Sequence, residues 1–151
     1  MDEHARYGMF ENQLKRVKLD NLDVVEKFIS LALEEPDHGA RGAMLGLIAT
    51  DPTIDSSMLG FLTQHSAFSE EFLQKILARR QLFLALETQS LSEDLFRACI
   101  SFQHNGVHRK LLSLPGLTQD QLRVLCENGV NKAVRNIARE RLKRESPGVL
   151  A

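Results

Sequence analysis

Three polar helix starts recur along this chain at a nearly fixed interval: Ser69 opens SEEFLQKILARR, Ser92 opens SEDLFRACISF and Thr118 opens TQDQLRVLCENG. A serine or threonine hydroxyl accepts a free backbone N–H of the first helical turn, and the acidic or amide residues that follow suit the positive end of the helix dipole. The starts lie 23 and then 26 residues apart. That interval holds one helix, a turn and a second, shorter helix, so each start predicts a helical pair. Pairs at a regular period bury their apolar faces by stacking on one another. Between the starts, QLFLALETQ, VHRKLLSL and NKAVRNIARERL read as the shorter partner helices. Apolar residues follow the helical period, and no run of alternating β-branched residues argues for a strand.

Further up the chain, a short helix is predicted around Phe10 to Lys18, with Asp20 or Asn21 as the next cap. The following helix places Leu22, Val25, Phe28, Ile29, Ala32 and Leu33 on one stripe and is ended by EEPDHG. Another runs from Gly39 through ARGAMLGLIAT to the turn at Asp51-Pro52. The chain is thus expected to be all-α: residues 1–20 an N-terminal segment with a short helix, residues 21–145 a helical repeat domain, and residues 146–151 a tail.

The stretch LPGLTQDQLRVLCENGVNKAVRNIARERL, Leu114 to Leu142, resembles a unit of the leucine-rich repeat variant family, within the broader HEAT-like class. Its marks are a proline ahead of a threonine-led helix, Leu122 and Leu125 inside that helix, a short turn, then Val134-Arg135 and Ile137-Ala138 on the next. Looser copies begin at LIATDPTIDSSMLGFL and LARRQLFLALETQ, so the resemblance covers about residues 31 to 143. It implies a right-handed α-solenoid of about eight to nine short helices, a superhelical surface for binding and no particular reaction. Members of the variant class can carry a cysteine-rich iron–sulfur module. This chain has two cysteines and no such cluster, so no cofactor is expected.

Asn-Gly-Val occurs twice, at Asn105 and again at Asn128, each time ahead of a basic, apolar-spaced segment. Asn and Gly tolerate positive φ, so both pairs are expected to form the turn that feeds a helix. After the second, Val130, Val134, Ile137, Ala138 and Leu142 form a stripe expected to pack on the preceding repeat. Lys132, Arg135, Arg139 and Lys143 share the opposite face, and Arg109 and Lys110 one repeat back can extend this basic strip. The strip belongs to a charge asymmetry hidden by the net charge of −1: residues 1–100 hold 10 Lys/Arg against 16 Asp/Glu, and residues 101–151 hold 9 against 4.

These six cations are the candidate binding residues, with a protein partner as the first expectation and nucleic acid as the alternative. Salt separates the two: neutralising four phosphates of duplex DNA gives a log–log slope of about −3.6. Against nucleic acid, eight Phe and one Tyr with no Trp leave few stacking platforms. A homo-oligomer is compatible with a stack whose end repeats need cover.

No enzyme is expected. Ser, Cys and His do not cluster into a nucleophile motif, and a base-excision site of the HEAT-like kind needs aromatic walls around an acid. His104 and His108 have the i, i+4 spacing of a zinc pair, but Gly106 between them is expected to break the helix, so no metal is assigned. Cys99 and Cys126 each follow a leucine by four residues and are expected to be buried and free. Glu34, Glu35, Asp37, Asp51 and Asp55 read as caps and solvated turns. Gly42 and Gly46, with Gly39 and Ala43, give GARGAMLG a bare face on which another helix can lie close, and a larger residue at Gly46 should then destabilise. The start MDEHARYGMF is acidic where a signal peptide would be basic and apolar, and no apolar run is membrane length, so the expected location is cytoplasmic without membrane contact.

Overall fold

A computed structural model of the chain describes residues 1–145. The expected tail, 146–151, lies outside the described residues. Among the described residues there are nine α-helices, one short 3-10 turn and no strand. The all-α expectation therefore holds. The chain divides into two compact units, Met1–Gln81 and Leu82–Ala151.

The first unit is built by α1 (Glu3–Leu14), α2 (Leu22–Leu33), α3 (His38–Ala49), α4 (Ser56–Gln64), a 3-10 turn (Ser66–Phe68) and the first part of α5 (Glu71–Thr88). Helix α1 lies about a turn and a half earlier than the expected 10–18. Asp2 caps it by accepting the Ala5 N–H at 2.8 Å, and this early cap outweighs the later apolar residues in setting its start. Asn21, Asp37 and Asp55 cap α2, α3 and α4 in the same way. The cap readings of Asn21, Asp37 and Asp55 are confirmed. Phe10 and Phe28 meet edge to face at a centroid distance of 5.7 Å, with α1 and α2 packed on α3. Arg80 closes the other side, donating to the carbonyls of Ala49 at 3.1 Å and Ile54 at 3.2 Å, which lie at and beyond the end of α3.

Ser69 does not start a helix; it ends the 3-10 turn, and α5 begins at Glu71. Nor is QLFLALETQ separate. Helix α5 runs unbroken through it to Thr88, because no glycine, proline or cap residue interrupts the run from Glu71.

The second unit contains α6 (Glu93–Ser101), α7 (Asn105–Ser113), α8 (Gln119–Asn128) and α9 (Lys132–Glu145). Ser92 and Thr118 cap α6 and α8 as expected, the latter through a full capping box with Gln121. Two helical hairpins, α6–α7 and α8–α9, lie side by side, with α6 on α8 and α7 on α9. Phe96, Cys99, Val107, Leu111, Leu122, Leu125, Val134 and Ala138 fill the space between them.

The offset between the two hairpins differs from that of the Asn-Gly-Val echo. Caps of the first helices, Ser92 and Thr118, are 26 residues apart, and caps of the second helices, His104 and Asn131, are 27 apart. The echo has a spacing of 23, one helical turn out of step. Asn105-Gly106-Val107 is the first turn of α7, whereas Asn128 ends α8 and Gly129-Val130 is the link to α9. Neither glycine has positive φ. Gly129 is required for a different reason: a Cβ there would lie 2.7 Å from the Leu125 carbonyl oxygen and 2.8 Å from Val134 Cγ1.

The bare face of α3 is approached closely at one glycine, as expected, and left open at the other. A Cβ on Gly42 would sit 3.0 Å from the Phe72 ring of α5, so this glycine makes room for an intramolecular contact. A Cβ on Gly46 would meet nothing within 4 Å. Gly46→Ala is therefore expected to stabilise the protein by about 0.5–1 kcal/mol through helix propensity, read as a higher denaturation midpoint. A lower midpoint would show that an unseen backbone approach occupies that face.

Candidate binding surface

The basic strip lies on α9, and its members differ in how free they are. Lys132, Arg139 and Lys143 are exposed, while Arg135 is half-buried and donates to the Gly129 carbonyl at 2.9 Å, holding the α8–α9 link in place. Arg139 donates to the Asn136 amide oxygen at 2.8 Å, and Lys143 lies 3.7 Å from Glu140. Arg109 on α7 donates to Asn105 Oδ1 at 3.1 Å, and that oxygen also accepts from Asn131 beside the start of α9. Lys110 points to Glu87, at 4.0 Å. The structure thus brings Arg139 and Lys143 to one place and gives Arg135 and Lys110 structural contacts of their own.

That place is a groove of about 300 Å³ between α8 and α9, lined by Arg123, Cys126 and Glu127 from α8 and by Arg139, Leu142 and Lys143 from α9. Arg123, absent from the sequence-derived set, faces the strip across this groove and holds Asp120 at 2.8 Å. The apolar stripe of α9 departs from expectation in one residue: Val134, Ala138 and Leu142 are buried, but Ile137 is 37% exposed. Its place is taken by Arg141, 8% exposed, which donates to the Leu112 carbonyl at 2.7 Å and to Glu145 at 2.9 Å. Arg141 is absent from the stripe expected from sequence, although it falls seven residues after Val134, on the stripe itself.

Polar bonds join the two hairpins where their links meet. Gln103 donates to the carbonyls of Ile100 at 2.7 Å and Asn128 at 3.3 Å, and Asn131 donates to Asn105 at 3.1 Å. His108 lies deepest, with no solvent exposure: one ring nitrogen, Nδ1, accepts the Val130 N–H at 3.1 Å and the other, Nε2, donates to the Cys99 carbonyl at 3.0 Å. Val130 N–H can only donate and the carbonyl can only accept, so the ring proton sits on Nε2. Both nitrogens are thereby committed. Contrary to the sequence expectation, Gly106 does not break the helix; it lies inside α7. His104 is kept from pairing with His108 because it caps α7, its Nδ1 accepting the Val107 N–H at 3.3 Å. Among the described residues no group of three or more His, Cys, Asp or Glu is placed to hold a metal ion.

In the first unit, a cleft of about 310 Å³ is lined by α1 residues including Met9 and Phe10, together with Leu31, Glu35 and Met44. Glu35 is no solvated turn: it is 4% exposed and takes Arg6 Nε at 2.6 and 2.8 Å. Its carboxylate holds the Arg6 guanidinium more firmly charged than usual. The partner is an arginine 29 residues away in sequence, on α1.

Both cysteines are free, Cys99 buried and Cys126 half-buried. Burial pushes the Cys99 thiol up to about 11. Burial also raises Cys126, with Arg139 pulling in the opposite direction. Because the folded protein holds Cys99 neutral, its contribution to stability is intact below pH 9.0 and is lost as pH rises towards about 11. Unfolding titrations across that window are expected to show a shallower alkaline decline in Cys99→Ala than in the parent; identical slopes would assign the decline to other groups.

No family model, curated protein or solved structure matches this chain. No helix among the described residues is long and apolar enough to cross a membrane.

Proposed function

We propose that the chain is a non-catalytic helical-repeat scaffold, a HEAT-like right-handed α-solenoid, whose role is to bind another protein. One observation carries the reading: in the second unit successive hairpins pack first helix on first and second on second, at offsets of 26 and 27 residues. Stacking of this kind leaves a continuous outer surface whose side chains are free to specify a partner. The polar bonds at the links hold the neighbouring hairpins in register.

The basic excess of residues 101–151 supports a second reading, in which the α9 strip contacts nucleic acid. Affinity capture from nuclease-treated extract separates the two. A protein partner should persist after treatment and rebind in purified form with fixed stoichiometry by calorimetry. Capture that vanishes with nuclease, together with steeply salt-dependent oligonucleotide binding, would replace the protein reading with the nucleic-acid one.

A further inference from the structure

We propose that Asn105 is a site of spontaneous deamidation and that Asn128, written in the same Asn-Gly-Val letters, is not. The proposal holds whatever partner the scaffold binds. Deamidation needs three things in one place: a backbone N–H of the following residue that is free to turn, a side-chain carbonyl oxygen that can carry negative charge, and an amide nitrogen that can leave. Glycine as the following residue puts no side chain in the way. Both sites have that glycine and both asparagines are exposed, so the difference lies in the bonds around them.

At Asn105 the attacking nitrogen is uncommitted. The His108 N–H bonds back to the His104 carbonyl at 3.1 Å, and the His104 ring takes the Val107 N–H at 3.3 Å. The Gly106 N–H lies ahead of both, in the part of a first turn that a helix leaves without an internal acceptor. The carboxamide is oriented from outside: Arg109 Nε and Asn131 Nδ2 both donate to Oδ1 at 3.1 Å. A guanidinium can only donate, so this oxygen is fixed as the acceptor. Charge that develops on it when Cγ is attacked meets a cation already in place, and both bonds fall on the oxygen, away from the nitrogen that leaves. Asn128 reverses these conditions. There the buried Gly129 donates its N–H to the Leu125 carbonyl at 3.0 Å, and Asn128 Nδ2, the group that would leave, is held by the Val124 carbonyl at 3.2 Å.

In the reaction the Gly106 nitrogen gives its proton to water and bonds to Asn105 Cγ. The Cγ–Nδ2 bond breaks, and Nδ2 takes a proton from water and departs as ammonia, leaving a cyclic succinimide. Water then adds to either ring carbonyl and reopens the ring, at one to aspartate and at the other to isoaspartate. Water is consumed and ammonia released, with no oxidation or reduction. Aspartate at this position faces Arg109 and places negative charge at the start of α7, where the helix dipole favours it. Isoaspartate lengthens the main chain in that first turn and carries the side chain away from Asn131, removing a bond between the hairpins.

To test this, the full chain is held at mildly alkaline pH in heavy-oxygen water, once in native buffer and once in guanidinium chloride, then digested in ordinary water and mapped by mass spectrometry. Each new side-chain carboxyl carries the label, and isoaspartate is read separately with an isoaspartyl carboxyl methyltransferase. In the folded protein, label should enter at Asn105 at least about tenfold faster than at Asn128, with methyl-accepting product in the Asn105 peptide. In denaturant the two sites should react at similar rates, because only the fold distinguishes them. Arg109→Ala removes the charged donor and should slow the reaction at Asn105 several-fold; Arg109→Gln, which keeps an uncharged donor, should fall between. Circular dichroism confirms that both variants fold. Equal rates at the two sites of the folded chain, a faster Asn128, or no label at Asn105 while the denatured chain reacts would each overturn the proposal. An unchanged or faster reaction in both folded Arg109 variants would overturn the activation of Oδ1 and make the arginine a clamp on the amide.

Discussion

His108→Ala is expected to destabilise the protein by about 3–5 kcal/mol, more than any other single side chain that joins the two hairpins. The ring has no exposure and bridges the Cys99 carbonyl of α6 to the Val130 N–H of the α8–α9 link. Alanine leaves both backbone groups buried without a partner, at about 1–3 kcal/mol each, and opens a cavity the size of the imidazole. Two further variants divide these contributions. His108→Phe keeps most of the volume and removes both bonds, whereas His108→Gln supplies one donor and one acceptor in a smaller side chain. Denaturant midpoints should rank the parent first, then Gln, with Phe and Ala lowest. A loss below about 1 kcal/mol in His108→Ala would mean that water replaces both bonds, and the histidine would then count as filler.

Gly129→Val should cost about 3 kcal/mol, for a reason that has nothing to do with backbone freedom. At Gly129 φ is −56° and ψ is 144°, a conformation open to any residue. A Cβ there would instead press on the Leu125 carbonyl oxygen, which already accepts the Gly129 N–H, and on Val134, a fully buried side chain. Relief requires the end of α8 to move away from α9. Gly106 supplies the contrast, because a Cβ there would meet the His104 ring at 2.9 Å and Phe83 at 3.2 Å, side-chain atoms instead of a backbone carbonyl. Gly106→Ala should thus cost less than Gly129→Ala, with Gly46→Ala on the stabilising side. Thermal unfolding of the three alanine variants checks that order, and equal losses at 106 and 129 would refute the steric account.

Local signals in the sequence were the dependable ones. Ser92, Thr118, Asn21 and Asp55 act on backbone groups two or three residues away, so a cap motif carries nearly all the information needed to place the helix start. Ser69 failed because a 3-10 turn, held by His65 and Phe68, occupies the same segment. Long-range burial was harder to read. Glu35, Arg141 and His108 are polar residues whose partners lie 29, 29 and 22 residues distant, and only the helical phase of Arg141 and His108, in step with apolar neighbours, hinted at it. The candidate strip was legible as a face of α9, but the groove was not, since Arg123 joins it only through the packing of α8 on α9. Repetition of Asn-Gly-Val misled for a related reason: identical letters fell at the start of one helix and across the end of another.

The bonds that join neighbouring segments all reach back by similar, modest distances. His108 to Val130, Gln103 to Asn128, Asn105 to Asn131 and Arg141 to Leu112 span 22, 25, 26 and 29 residues. A chain growing at a ribosome therefore has the partners for each new hairpin already present when that hairpin emerges, without waiting for distant sequence. Short spans of this kind keep the loop-closure cost low and favour folding in the microsecond to millisecond range. Assembly can proceed in the order of synthesis, with each finished hairpin acting as the template on which the next one settles.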